Sequence, residues 1–133
     1  MKNIILSTVA FALVGTAAPA IARDLPAGVS VDPAAFTETA RSLRKRGITV
    51  SPAQTASIRQ GVDKDNIYRL IGAPHFGEGI TRRWNYVLFL HDGAEAPQRC
   101  RLRIDFAKSG DGYDVVVDRL TWSSDQCAVL ASH

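Results

Sequence analysis

The stretch that decides the fold is Ile58-Arg59-Gln60-Gly61-Val62-Asp63-Lys64-Asp65-Asn66-Ile67-Tyr68-Arg69-Leu70-Ile71-Gly72-Ala73-Pro74, followed after a short loop by Trp84-Asn85-Tyr86. Gly61 is read as the end of one helix, because a glycine there adopts the left-handed backbone that side chains avoid. Asp63 is placed to cap the next helix, its carboxylate accepting from first-turn amides. Ile67, Leu70 and Ile71 recur at i, i+3 and i+4, so that helix has one apolar face, and Gly72 with Pro74 stops it. Trp84 and Tyr86 alternate as in a strand and point to one side of a sheet.

Working outward, Ser51-Pro52-Ala53-Gln54 reads as a capping box with proline at the first helical position. A helix from there to about Gln60 forms a tight helical hairpin with the one that starts at Asp63. On the other side lie three strands. The first, about Arg82 to Leu90, places Trp84, Tyr86, Leu88 and Leu90 on one face. The second has the clearest alternation: Cys100, Leu102, Ile104 and Phe106 face one way, Arg99, Arg101, Arg103 and Asp105 the other. The third, about Tyr113 to Trp122, is less regular. Val116, Leu120 and Trp122 share a parity with Asp118, which places Asp118 near an edge or calls for a bulge. Helices first and hairpin-linked strands after them predict an α+β domain, with two layers: the helical hairpin on a three-stranded antiparallel sheet.

The ordered set Gly61, Asp63, Ile67, Leu70, Gly72, Pro74, Trp84 and Tyr86 resembles the SmpA/OmlA domain, the family of BamE, an accessory subunit of the machine that assembles β-barrel proteins in the bacterial outer membrane. The similarity runs from about Ser51 to Trp122. It implies the same helices-on-sheet fold and a non-catalytic role in protein contact or scaffolding. Members are typically lipoproteins with a lipid-accepting cysteine at the cleavage site. Here Arg23 holds that place, which implies a periplasmic protein without its own anchor, or one held at the outer membrane by a partner.

The flanks agree with export. Residues 1–22 have a basic start at Lys2, an apolar run from Ile4 to Val14 and an Ala20-Ile21-Ala22 cleavage site, the pattern of a secretory signal peptide. Residues 23–50 read as an arm to Val31 and an extra helix. That helix is capped by Asp32-Pro33, carries Phe36, Ala40 and Leu43 on one face and Arg44 to Arg46 in its last turn, and is closed by Gly47. Ile48-Thr49-Val50 is short and extended. Residues 51–127 are the domain proper and 128–133 a tail. In an oxidising compartment Cys100 and Cys127 are expected to bond, contributing roughly 3 to 4 kcal/mol and fastening the tail to the sheet.

The formal net charge of +3 is mild and does not argue for nucleic acid. Sequence signatures of hydrolases, phosphate-binding loops and zinc proteases do not occur, the histidines are scattered, and no catalytic residue, metal ligand or cofactor is assigned. His75 and Glu78 share a loop and read as surface polar residues. The candidate interaction surface is the sheet face away from the helices, with Arg83, Phe89, Arg101, Arg103 and Arg119 among valines, together with the loop Gly72 to Thr81. Arginine beside aromatic residues suits contact with an envelope protein. It also suits anionic lipid headgroups, or, by resemblance to β-lactamase inhibitor repeats, an inhibited enzyme. All of these require that face to be open.

Overall fold

A computed structural model describes residues 24–36, 47–75, 82–91 and 96–132. The residues read as a signal peptide and as the body of an extra helix, most of the Gly72 to Thr81 loop including Glu78, and His133 lie outside the described residues.

The domain is α+β. Five strands form one mixed sheet: β1 (Val29–Val31), β2 (Ile48–Val50), β3 (Arg83–Leu90), β4 (Gln98–Lys108) and β5 (Val115–Trp122), in the spatial order β1-β5-β4-β3-β2. The predicted three antiparallel strands are its centre. The expected three-stranded sheet is corrected at both rims, where β1 joins β5 and β2 joins β3, each in parallel. Residues read as an arm and as a short extended piece thus complete the sheet. Edge pairing of this kind satisfies backbone groups that an isolated three-residue segment leaves to water.

The helices α1 (Pro52–Ala56), α2 (Lys64–Ile71) and α3 (Asp125–Ala131) cover one face. Ser51 and Gln54 form the predicted reciprocal capping box at α1. Asp63 caps α2 by accepting from the Asp65 amide at 2.8 Å, and Ile67 and Ile71 are its buried positions. Gly72 ends it with φ +81°.

The first helix is shorter than predicted. It stops at Ala56, and Gly61 does not terminate it. Instead the Gly61 amide donates to Val117 O and the Val117 amide to Val62 O, both at 2.8 Å, so the connection lies along β5. Gly61, at φ +88°, supplies the bend that this approach needs. The predicted irregularity near Asp118 is a bulge: the β4–β5 register shifts between Asp105 and Phe106. It turns Val117, expected on the outer face with Val115, into the core, and Val115 packs against the core as well.

The tail correction is larger. Residues 125–131 are helical, capped by Ser124, whose hydroxyl accepts from the Cys127 amide at 3.2 Å. Cys127, Ala128 and Ala131 turn inward, and Cys127 is bonded to Cys100 of β4 with the α-carbons 5.7 Å apart. Trp84 stacks edge-on against Phe106 at 4.9 Å, with the Lys64 ammonium 4.8 Å above its ring. Tyr86 donates its hydroxyl to Gly72 O at 3.0 Å, tying the end of α2 to β3.

Candidate functional site

The outer face is read off the strand registers. Arg83, Asp105 and Arg119 form one row across β3, β4 and β5; Asn85, Arg103 and Thr121 form the next. Val87 pairs with Arg101, and Phe89 with Arg99. Period-2 geometry puts all of these on the side opposite the helices.

The two ends of this face differ. Toward Phe89 it is closed by the protein's own N-terminal part. A 3₁₀ turn at Pro33–Phe36, begun by Asp32 accepting from the Ala34 amide, sets Phe36 over Arg101. Arg101 is 9% exposed. Its Nη1 donates to Phe36 O at 2.6 Å, and the guanidinium lies 5.0 Å from the Phe36 ring centroid. Burial first, and then the neighbouring Arg99, lower its pKa. Gly47 sits against the Phe89 ring so closely that a Cβ there would overlap it. Phe36 and Gly47 bracket residues 37–46 and both lie on this face. Arg101 and Phe89, expected at an accessible surface, are thus held under other parts of the chain.

The opposite end is accessible. The Arg83 side chain is 57% exposed and pairs with Asp105, Nε to Oδ1, at 2.7 Å. Arg103 reaches the other carboxylate oxygen at 3.4 Å, an ion pair by distance that is not aligned as a hydrogen bond. Arg119 is exposed and faces Asp105 from β5. One carboxylate thus lies among Arg83, Arg103 and Arg119, leaving the patch cationic. The Arg83 side of the cluster is solvated, and exposed pairs of this type are worth about 0–1 kcal/mol, so that guanidinium is held weakly; Arg103 Nε and Asp105 Oδ2 are both buried. Asp105 is the member that the sequence reading left out. Its signal was present in its place among the alternating arginines of β4.

His75 Nδ1 accepts from the Val87 amide at 3.2 Å, and its own amide donates to Asn85 O, so it is built into the edge of β3. Among the described residues there is no group of histidine, cysteine and carboxylate side chains suited to a metal ion. No described helix is long and apolar enough to cross a membrane.

Comparison with known families adds one finding. Residues 47–111 match the model of the outer membrane protein assembly factor BamE domain. The match takes in β2, both hairpin helices, β3 and β4, and leaves β1, β5 and α3 outside it.

Proposed function

This chain carries a BamE-like (SmpA/OmlA) domain over residues 47–111, and from that premise we propose that it is a non-catalytic envelope protein acting by protein contact in outer-membrane protein assembly. Its contact surface is the accessible arginine row, Arg83 and Arg119 on either side of Asp105 with Arg103 beside them. Its partner is an acidic surface of an envelope or outer-membrane protein facing the periplasm. The observation that carries this reading is the cross-strand row itself. Three guanidinium groups around one carboxylate leave cationic groups that a partner's carboxylates can engage in bidentate fashion. The closed half of the face takes no part.

The test is photo-cross-linking in intact cells from a reactive residue placed at Ala107, two positions beyond Asp105 on the same face of β4. Adducts with a component of the barrel-assembly machinery, lost in an Arg83→Glu, Arg119→Glu double variant, support the reading. Adducts of equal yield from that variant reject the surface.

A further inference from the structure

A second surface lies at the β1 rim of the sheet, whose strand is outside the matched residues. We propose that the open edge of β1, with the cleft beneath it, binds an extended peptide that adds as a sixth strand and drops one large apolar side chain into the cleft.

Backbone hydrogen bonds fix which groups are open. The Leu120 amide donates to Gly28 O at 2.8 Å, and the Asp32 amide donates to Trp122 O at 3.0 Å. These two bonds bracket β1, so Gly28, Ser30 and Asp32 direct their backbone toward β5. By alternation, Val29 and Val31 direct theirs to the open side. The Val29 amide is taken by Pro26 O at 3.1 Å. Among the described residues, Val29 O, Val31 N–H and Val31 O remain as a short ladder with no strand beside it. The edge is short, three residues, but Val29-Ser30-Val31 has no charge, proline or bulge to block pairing.

Val29 and Val31 pair with Leu120 and Trp122, so their side chains face the helix side. A cleft of about 260 Å³ opens there, walled by Val29, Ile58, Leu120, Trp122 and Ala131 with Ala27 at its mouth. Sites for whole small molecules run from about 300 to 1,000 Å³, so this volume suits one large side chain better. A ladder for the main chain and a pocket for an alternate side chain are the two parts of recognition by strand addition.

Arg59 also lines the cleft and sets the polarity. The residue is exposed and its Nε donates to Ala56 O at 2.9 Å, so its charge is offered to an anion through the terminal nitrogens. The occupant is therefore an extended segment, apolar at alternate positions, with an acidic group beside Arg59. A second copy of this chain fits less well. Two three-residue edges bury far less than the roughly 1,200–2,000 Å² of a stable interface. This surface does not depend on the arginine row, which lies on the other face.

The experiment titrates the full chain into a fluorescein-labelled eight-residue peptide alternating Phe and Thr and ending in Glu, with a Lys-ended twin, and reads anisotropy. The Glu-ended peptide should bind more tightly, and Arg59→Glu should reverse that order. Val31→Pro removes one open-edge donor and should weaken binding at least tenfold. Ala27→Trp fills the cleft mouth and should do the same, which covers the case in which the proline variant fails to fold. Methylating alternate peptide amides should abolish binding in one phase and spare it in the other. The proposal fails if the wild-type chain binds neither peptide, or if Ala27→Trp and both methylation phases bind as the parent does. It also fails if sedimentation shows a dimer that Val31→Pro dissolves, since the edge would then be filled by a second copy.

Discussion

Arg101 donates to the carbonyl oxygen of Phe36 and lies under its ring, so a charged group on the face away from the helices is sealed by a residue sixty-five positions earlier. Removing the cover separates its two effects. Phe36→Ala should destabilise the protein by about 3 kcal/mol, the usual order for emptying an aromatic site. It should also make Arg101 reactive to phenylglyoxal. Urea unfolding measures the first and peptide mass spectrometry the second. Protection of Arg101 equal to wild type would mean that Phe36 is not its lid.

The Cys100–Cys127 bond closes a loop of sequence separation 27 and holds α3 on the sheet. Replacing both cysteines by alanine should cost about 3.5 kcal/mol by chain entropy. The loss should be local at first. Amide exchange in residues 125–131 should accelerate before that of β4, because α3 then relies on packing of Ala128, Leu130 and Ala131 without the crosslink. Uniform acceleration across the domain would contradict this.

Asp111 accepts from the Ser109 hydroxyl and from the Tyr113 amide in the β4–β5 turn, and its pKa is lowered, with the Ser109 hydrogen bond the leading cause. A depressed carboxyl stabilises the fold above its ordinary pKa, and that contribution disappears as pH falls through the folded-state value. Ser109→Ala should move the Asp111 titration up toward the ordinary carboxylate range in a carbon-detected NMR titration. An unmoved midpoint would show that the Tyr113 amide suffices.

Asp105 competes within the molecule for the guanidinium groups that we assign to a partner. Asp105→Asn should lower stability by about 1–2 kcal/mol, since the Arg83 side of the pair is solvated while the buried Arg103 Nε loses its carboxylate. It should nevertheless tighten binding of a hexaglutamate peptide, and added salt should erase the gain. Weaker binding in this variant would mean that Asp105 orients the arginines more than it occupies them.

The parts legible in the sequence are those whose signal is local. Cys100 to Phe106 shows β4 by alternation, Ser51 and Gln54 show the start of α1 by their caps, and Ile67 with Ile71 shows the face of α2. The BamE-like resemblance rested on the same local pieces. Three residues at Val29–Val31 carry too little periodicity to be told from an arm, and their pairing with Leu120–Trp122 is far away in sequence. Residues 125–131 were readable in principle. Ser124 is a good cap, and Cys127 with Ala131 sits at helical spacing, yet small residues give a weak apolar stripe. The arginine row required the cross-strand registers, which no single strand contains. The closure of Arg101 required Phe36 to cross onto the outer face.

The pairing of Val29 with Leu120 has a kinetic meaning. Parallel contacts between the opening and closing strands of a polypeptide cannot form while its distal part is still being made or threaded through a pore. A nascent chain stopped before Val115 has no place to seat its first strand and lacks the Cys127 half of its crosslink. Such late closure leaves the fold unlocked until synthesis is finished and the two thiols have been oxidised.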